Sequence, residues 1–323
     1  MLDCAQAGEV HRFSLLEEND SLYADTDQHY TQGLRLSDLS PAIAPQSAWN
    51  APFDLVADMS PALAQGGAVH SRRAALFLGQ SIFTPENKTL RRPDPSDRPY
   101  ASWLYAGGGL LQETDRRMLE NLELALGLVG PGALGRQVQN NFHQFIGVPS
   151  ARGWSHDIQT EPGVMLSYER LWRWSLVGDG DNGFDVVPQL GATVGNVMTY
   201  GAAGAMVRLG KNLRADYGPA RIRPALSGTD YFDGEHLDGK LGFYVFAGIQ
   251  GRVVGRNIFL DGNSFRQSPS VEKETLVGDI QAGISLFWSN DLRVNFSAMR
   301  RSREFKGQPA PDLIGTASLA FSW

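Results

Sequence analysis

Cysteine is nearly missing. A single Cys4 in 323 residues rules out a disulfide framework and a paired-cysteine metal knuckle. Positive charge is not in excess either. The chain carries 29 Lys and Arg against 35 Asp and Glu, a formal net charge of −6. That argues against general nucleic-acid binding, which needs a basic face. An anionic ligand has to be met by a local cluster of cations, not by the field of the whole molecule. No apolar run approaches the ~20 residues of a membrane-spanning helix. The opening "MLDCAQAGEV" lacks the basic start and apolar stretch of a secretory leader. The chain is therefore either cytosolic or processed behind an added Met1, and its C-terminus favours the second. No Gly-x-Ser-x-Gly elbow occurs, which disfavours a serine hydrolase of that type.

What is abundant is alternation. In "IGTASLAFSW", Ala317, Leu319, Phe321 and Trp323 form one row and Thr316, Ser318, Ala320 and Ser322 the other. That is strand periodicity running to a terminal aromatic. "ENLELALGL" and "GKLGFYVFAGIQGRV" repeat it. The pattern predicts about twelve strands, near residues 10–18, 29–39, 69–82, 101–113, 116–128, 161–173, 184–196, 200–210, 241–257, 275–288, 291–304 and 314–323. Many approach the ~10 residues that cross a bilayer when tilted. Arg252, Gln281, Arg293 and Asn295 lie in polar rows opposite aliphatic ones, as a wet lumen and a lipid-facing wall require. Tyr100, Trp103, Trp172, Trp174, Trp288 and Trp323 sit near strand ends, where two interfacial girdles are expected. A closed antiparallel transmembrane β-barrel in one domain, 1–323, accounts for this better than a soluble β-sandwich.

With both termini periplasmic, the segments after strands one, three and five emerge on the outer side. The segments 40–68 and 211–240 fall at the periplasmic end and are long for turns. The only convincing helix is near 131–147, in the outer segment after strand five. Its "RQVQNNFHQFIG" stacks Gln139 and His143 on one face, with Phe142, Phe145 and Ile146 mostly elsewhere. By spacing alone this is either a core helix with a tolerated histidine or one wall of an active site. By residue type alone Asn19 and Asp20 read first as turn residues and second as oxygen ligands, whereas Asp25 and Asp27 read as turn residues. "GDGDNG" at 178–183 reads as a plain turn, because its Gly is misplaced for a calcium loop.

Several long motifs occur together and in order: "ENDSLYADTDQHYTQGLRLS", "LGQSIFTP", "DRPYASWLY", "GLVGPGALGRQVQNNFHQFIG", "GWSHDIQTEPG" and "GRNIFLDGNSF". In these the chain resembles the LpxR-type lipid A deacylases of the Gram-negative outer membrane. The resemblance implies a twelve-stranded barrel that removes an ester-linked 3′-acyloxyacyl chain from lipid A and depends on Ca²⁺. It also implies His143 as the essential histidine, Asn19 and Asp20 as the Asn-Asp pair and metal ligands, and Gln139 as the glutamine one turn before the histidine. Thr31 falls in the "YTQG" motif as a substrate-side residue. Lys88, Arg91 and Arg92 are the cations available for lipid A phosphates. The chain departs from the family pattern at Ser102, where Gly is expected, and after Gly147, where "VPSARGW" offers no carboxylate.

The implied chemistry is coherent. A histidine can deprotonate water directly where a cation polarises the carbonyl, and hard oxygen ligands suit Ca²⁺. His143 is expected as general base, Asp20 as calcium ligand or, second, as the orienter of the histidine, and Gln139 as a positioning hydrogen-bond group. Partners expected are lipopolysaccharide and the outer membrane, with no nucleic acid, in a monomer. The rivals are a passive porin or structural barrel, and a membrane phospholipase with Ser155 or Ser14 as nucleophile.

Overall fold

Alternation decides which way every strand faces. In β5 (Met118–Val129) Leu124, Leu126 and Leu128 are exposed, whereas Glu123 and Ala125 are buried. Apolar side chains point out and polar ones point in, the reverse of a soluble sheet and the arrangement lipid demands. The computed structural model describes residues 10–20, 28–59, 67–115, 117–178, 181–234, 237, 241–289 and 291–323.

Before β5 run β1 (Arg12–Asn19), β2 (His29–Leu39), β3 (Val69–Thr84) and β4 (Ala101–Thr114). After it come β6 (Glu161–Trp172), β7 (Trp174–Gly178), β8 (Gly183–Gly195), β9 (Met198–Lys211), β10 (Leu241–Asn257), β11 (Leu276–Trp288), β12 (Leu292–Arg301) and β13 (Asp312–Ser322). Each pairs antiparallel with its neighbours, and β8 pairs with both β6 and β7. β6 and β7 are thus one stave interrupted at Arg173, which makes twelve staves in all. β13 closes on β1, with Arg12 opposite Ser322 and Leu16 opposite Ser318. Closure leaves no open edge, which lipid could not satisfy.

The ends of the barrel differ from expectation in two ways. The lumen is not an open aqueous channel. Residues 212–234 turn up into it from the periplasmic end and are almost entirely buried. Their charges meet wall charges: Arg221 with Glu18 at 3.1 Å, Arg223 with Glu123 at 3.0 Å and Glu169 at 3.2 Å, and Asp230 with Arg293 at 2.5 Å. Asp216 pairs with both Arg208 and Arg293. The second difference is in the aromatics. Tyr100 and Trp103 are buried inside, whereas Trp174, Trp288 and Trp323 are exposed at the ends of their strands on the terminus side. They form one periplasmic girdle.

Helix α1 (Ala51–Met59) lies in the long segment between β2 and β3. Its Phe53 packs under Arg72, whose guanidinium also pairs with Asp54 at 2.8 Å. Helix α2 (Gly135–Ile146) occupies the outer segment after β5, as the spacing predicts. A single turn, α3 (Ile258–Asp261), follows β10.

Candidate active site at the outer rim

Two glycines position α2. Gly147 ends it with φ +75°, and Val148 N–H reaches back to the His143 carbonyl at 2.8 Å. That left-handed cap favours glycine. Gly135 lets the helix approach β4: a Cβ there would lie 2.5 Å from Ser102 Cβ. Gly135 makes the room for the Ser102 side chain. The Ser102 hydroxyl then donates to the Gly130 carbonyl at 3.0 Å.

The helix is amphipathic in an inverted sense. Its buried residues are Gly135, Gln139 and His143, whereas Phe142, Phe145 and Ile146 are 52, 87 and 49% exposed. The polar face meets the rim of β3 and β4, and the apolar face points away from the protein. The helix is not a core helix with a tolerated histidine.

His143 is 4% exposed, and its Nδ1 lies 2.9 Å from the Pro149 carbonyl oxygen. A carbonyl only accepts, so Nδ1 carries the proton. In the neutral ring Nε2 is then the basic nitrogen. A backbone carbonyl thus orients the ring in the stretch without a carboxylate. Gln139 Oε1 accepts the Trp154 indole N–H at 2.9 Å, and Trp154 packs on Tyr100 with ring centroids 4.8 Å apart. The Gln139 Nε2 is buried and has no hydrogen-bond partner among the described residues. Asp157, in the same outer segment, has its carboxyl pushed up to about 7 by burial, against the pull of Arg136.

Asp20 follows β1 at the same end of the barrel. It is 2% exposed and accepts the Gln28 N–H at 2.5 Å. Asn19 is half-buried opposite Gly315. Thr31 is buried, its hydroxyl 2.7 Å from that of Thr84 on β3. The outer ends of β1 to β4, consecutive neighbours in the sheet, therefore carry Asn19, Asp20, Thr31 and the strand that supports α2. The cations are less fixed. Lys88 is half-buried and its carbonyl accepts Arg152 N–H at 3.0 Å, but the side chains of Arg91 and Arg92 are exposed. Asp25 and Asp27 lie outside the described residues.

Sequence reasoning did not single out Trp154, the Pro149 carbonyl or a second rim histidine. His29, with φ +58°, holds Asp312 through Nδ1 at 2.6 Å, and its Nε2 lies 3.7 Å from Asp97. Carboxylates enclose that ring on both sides, which suits a structural ion pair better than a base. The "HYTQG" motif displayed His29, but nothing in sequence indicated its distant partner.

The family model for outer membrane protein LpxR matches residues 1–323. The chain belongs to the LpxR family. Among solved structures, LpxR from Salmonella typhimurium superposes with a TM-score of 0.75 at 20% identity, covering 96% of this chain and 99% of that one. The β domain of the Bordetella autotransporter BrkA is a looser likeness, with a TM-score of 0.43 at 12% identity over 98% of this chain and 99% of that one. No curated protein sequence matches. Membership in the LpxR family and the closed barrel place the protein in the Gram-negative outer membrane.

Proposed function

We propose that the protein is a calcium-dependent carboxylic ester hydrolase that removes the 3′-acyloxyacyl chain from lipid A. The observation that carries this reading is the fixed tautomer of His143 on the buried face of a rim helix. The Pro149 carbonyl on Nδ1 leaves Nε2 as the basic nitrogen, as a general base requires. The packed lumen argues against the passive pore, because residues 212–234 fill the space that a solute would cross.

The reaction follows from these groups. His143 Nε2 takes a proton from water, and the hydroxide adds to the ester carbonyl. The tetrahedral intermediate collapses as the imidazolium returns that proton to the departing sugar oxygen, giving a free fatty acid and a lipid A hydroxyl. Gln139 Nε2 is a donor held by Trp154 on the same face and is available to the substrate or the water. Asn19 and Asp20 supply hard oxygen donors at the rim, and Asp20 is held there by the Gln28 N–H. That donor set fits calcium. Bound there, calcium would polarise the carbonyl and offset charge on its oxygen. Phe142, Phe145 and Ile146 face the outer leaflet, where the acyl chains of lipid A lie. Burying each there is worth about 1.5–3 kcal/mol. Half-buried Lys88 and exposed Arg91 and Arg92 are the cations for the phosphates.

Mass spectrometry of lipid A from cells with and without the protein tests the reading. Loss of one acyloxyacyl chain supports it. Unchanged lipid A returns the barrel to a passive role, and lysophospholipid indicates a different esterase.

A further inference from the structure

A second constellation lies at the opposite, periplasmic end. His70 is the second residue of β3, at a β-bulge where the register with β4 shifts between Val69 and Ser71. Strict alternation from the buried Ser71 and Arg73 would turn His70 outward. A bulge re-aims a side chain, and here His70 Nε2 comes to 3.6 Å from Asp233 Oδ2 and 3.9 Å from Glu113 Oε2. The three ligand atoms all lie within 4.8 Å of one another.

These separations have a specific meaning. They are too long for direct hydrogen bonds, which need about 2.7–3.2 Å. Around a tetrahedral ion with ligands at 2.0–2.2 Å, neighbouring donor atoms stand about 3.3–3.6 Å apart. The two separations from His70 lie at that spacing or a few tenths of an ångström above it. The Glu113 carboxylate is also supported as metal ligands are, by donors behind it. Glu113 Oε1 accepts Tyr217 O–H at 2.8 Å and Arg173 Nη2 at 3.3 Å, and Oε2 accepts Tyr231 O–H at 2.8 Å. That leaves Oε2 with acceptor capacity toward His70. Asp233 is anchored through its own N–H to the Ala215 carbonyl at 2.7 Å. The His70 side chain is 29% exposed, so an ion and a water in the fourth position can reach the site.

We infer that His70, Glu113 and Asp233 bind a divalent transition-metal ion, zinc by ligand chemistry, that clamps the lumen-filling segment to the wall. One imidazole and two carboxylates suit zinc. The imidazole nitrogen sets the group apart from calcium, whose ligands are oxygens. The ligands come from β3, β4 and the end of the 212–234 segment, so the ion ties that segment to two staves.

The test is calorimetric titration of the chelator-treated, detergent-solubilised full chain with zinc chloride, in excess calcium chloride. One zinc equivalent should bind and raise the unfolding temperature. His70→Ala and Asp233→Asn should each weaken that binding at least tenfold and remove the thermal shift. His70 is partly exposed, so its variant is expected to fold, and retained gel mobility of the closed barrel checks this. Asp20→Ala and His143→Ala should leave the uptake intact, which separates this site from the outer rim. No uptake at micromolar zinc, uptake unchanged in both periplasmic variants, or uptake lost with His143→Ala would each overturn the inference.

Discussion

His143→Ala gives the sharpest test of the rim site. The imidazole is 4% exposed, and its Nδ1 donates to the Pro149 carbonyl at 2.9 Å. Removing it leaves a carbonyl without that donor, at a structural cost of about 1–3 kcal/mol confined to one outer segment. The twelve paired staves do not involve this residue, so the barrel should close as before. The catalytic loss should be far larger than this local loosening implies. Losing a general base lowers turnover by about 10²–10⁴, equivalent to about 2.7–5.5 kcal/mol of barrier. The assay is the rate of acyl release from lipid A micelles, followed by mass spectrometry, beside a binding measurement on the same substrate. Turnover should fall over that range while binding stays within a few-fold. Folding is read from the faster gel mobility of the unheated barrel. A well-folded variant within threefold of normal turnover would refute the assignment, and loss of binding alone would make His143 a docking group.

Other outcomes follow from neighbouring contacts. Asp20→Ala, and separately chelation of calcium, should each abolish acyl release while the unheated gel mobility persists; full activity in excess chelator would remove the metal from the reading. Trp154→Phe deletes the N–H that holds Gln139 Oε1 at 2.9 Å and should lower turnover by roughly tenfold through about 1–3 kcal/mol of lost positioning; an unchanged rate would exclude Gln139 as a positioned group. Asp157, whose carboxyl stands raised to about 7 by burial, binds its proton more tightly folded than unfolded. Packing of residues 147–160 should therefore be firmest at acidic pH and loosen as pH rises from about 4 through 7. Hydrogen exchange at pH 5 and pH 8 should show this for the parent chain and not for Asp157→Asn. Asp279→Ala would strip the buried Arg252 and Arg301 of the carboxylate they approach at 2.8 and 3.1 Å and should destabilise the barrel by about 3–5 kcal/mol; thermal loss of gel mobility measures it, and an unshifted midpoint would contradict the pairing.

The staves were legible because a membrane barrel states its fold residue by residue. Lipid on one side and packed polar groups on the other enforce the two-residue period over nearly every stave, so β2 and β10 fall on the expected 29–39 and 241–257. The lumen filling was not legible. Residues 212–234 have no period, and the sequence marks 211–240 only as a periplasmic segment long for a turn. Their partners are far away in the chain: Arg221 answers Glu18, and Arg223 answers Glu123 and Glu169. Helix α1 was missed for a related reason, since a nine-residue helix beginning Ala-Pro after an irregular stretch carries little periodic signal. At the rim, the four-residue spacing exposed Gln139 and His143. The orienting group behind the histidine could not be seen, because every residue has a carbonyl and only the fold selects that of Pro149.

Helix α2 and the barrel obey one rule, and that rule connects the fold to its chemistry. In water, an amphipathic helix buries Phe142, Phe145 and Ile146 and exposes its glutamine and histidine. Here lipid is the apolar phase outside, so the apolar face is free to point outward and the polar face turns in. The staves do the same with Leu124 and Leu126 outside and Glu123 within. Both inversions gather polar groups where water is scarce and the effective dielectric is low, so charges and dipoles act more strongly there than in bulk water. In the lumen, oppositely charged groups use that strength to hold the filling segment. At the rim, on the proposed reading, the same condition would strengthen the action of His143 and of the Asn19 and Asp20 oxygens on an ester. With Phe142, Phe145 and Ile146 turned outward, that reading leaves the acyl chains in the membrane beside the helix, and the proposed substrate would not have to leave the bilayer to be cleaved.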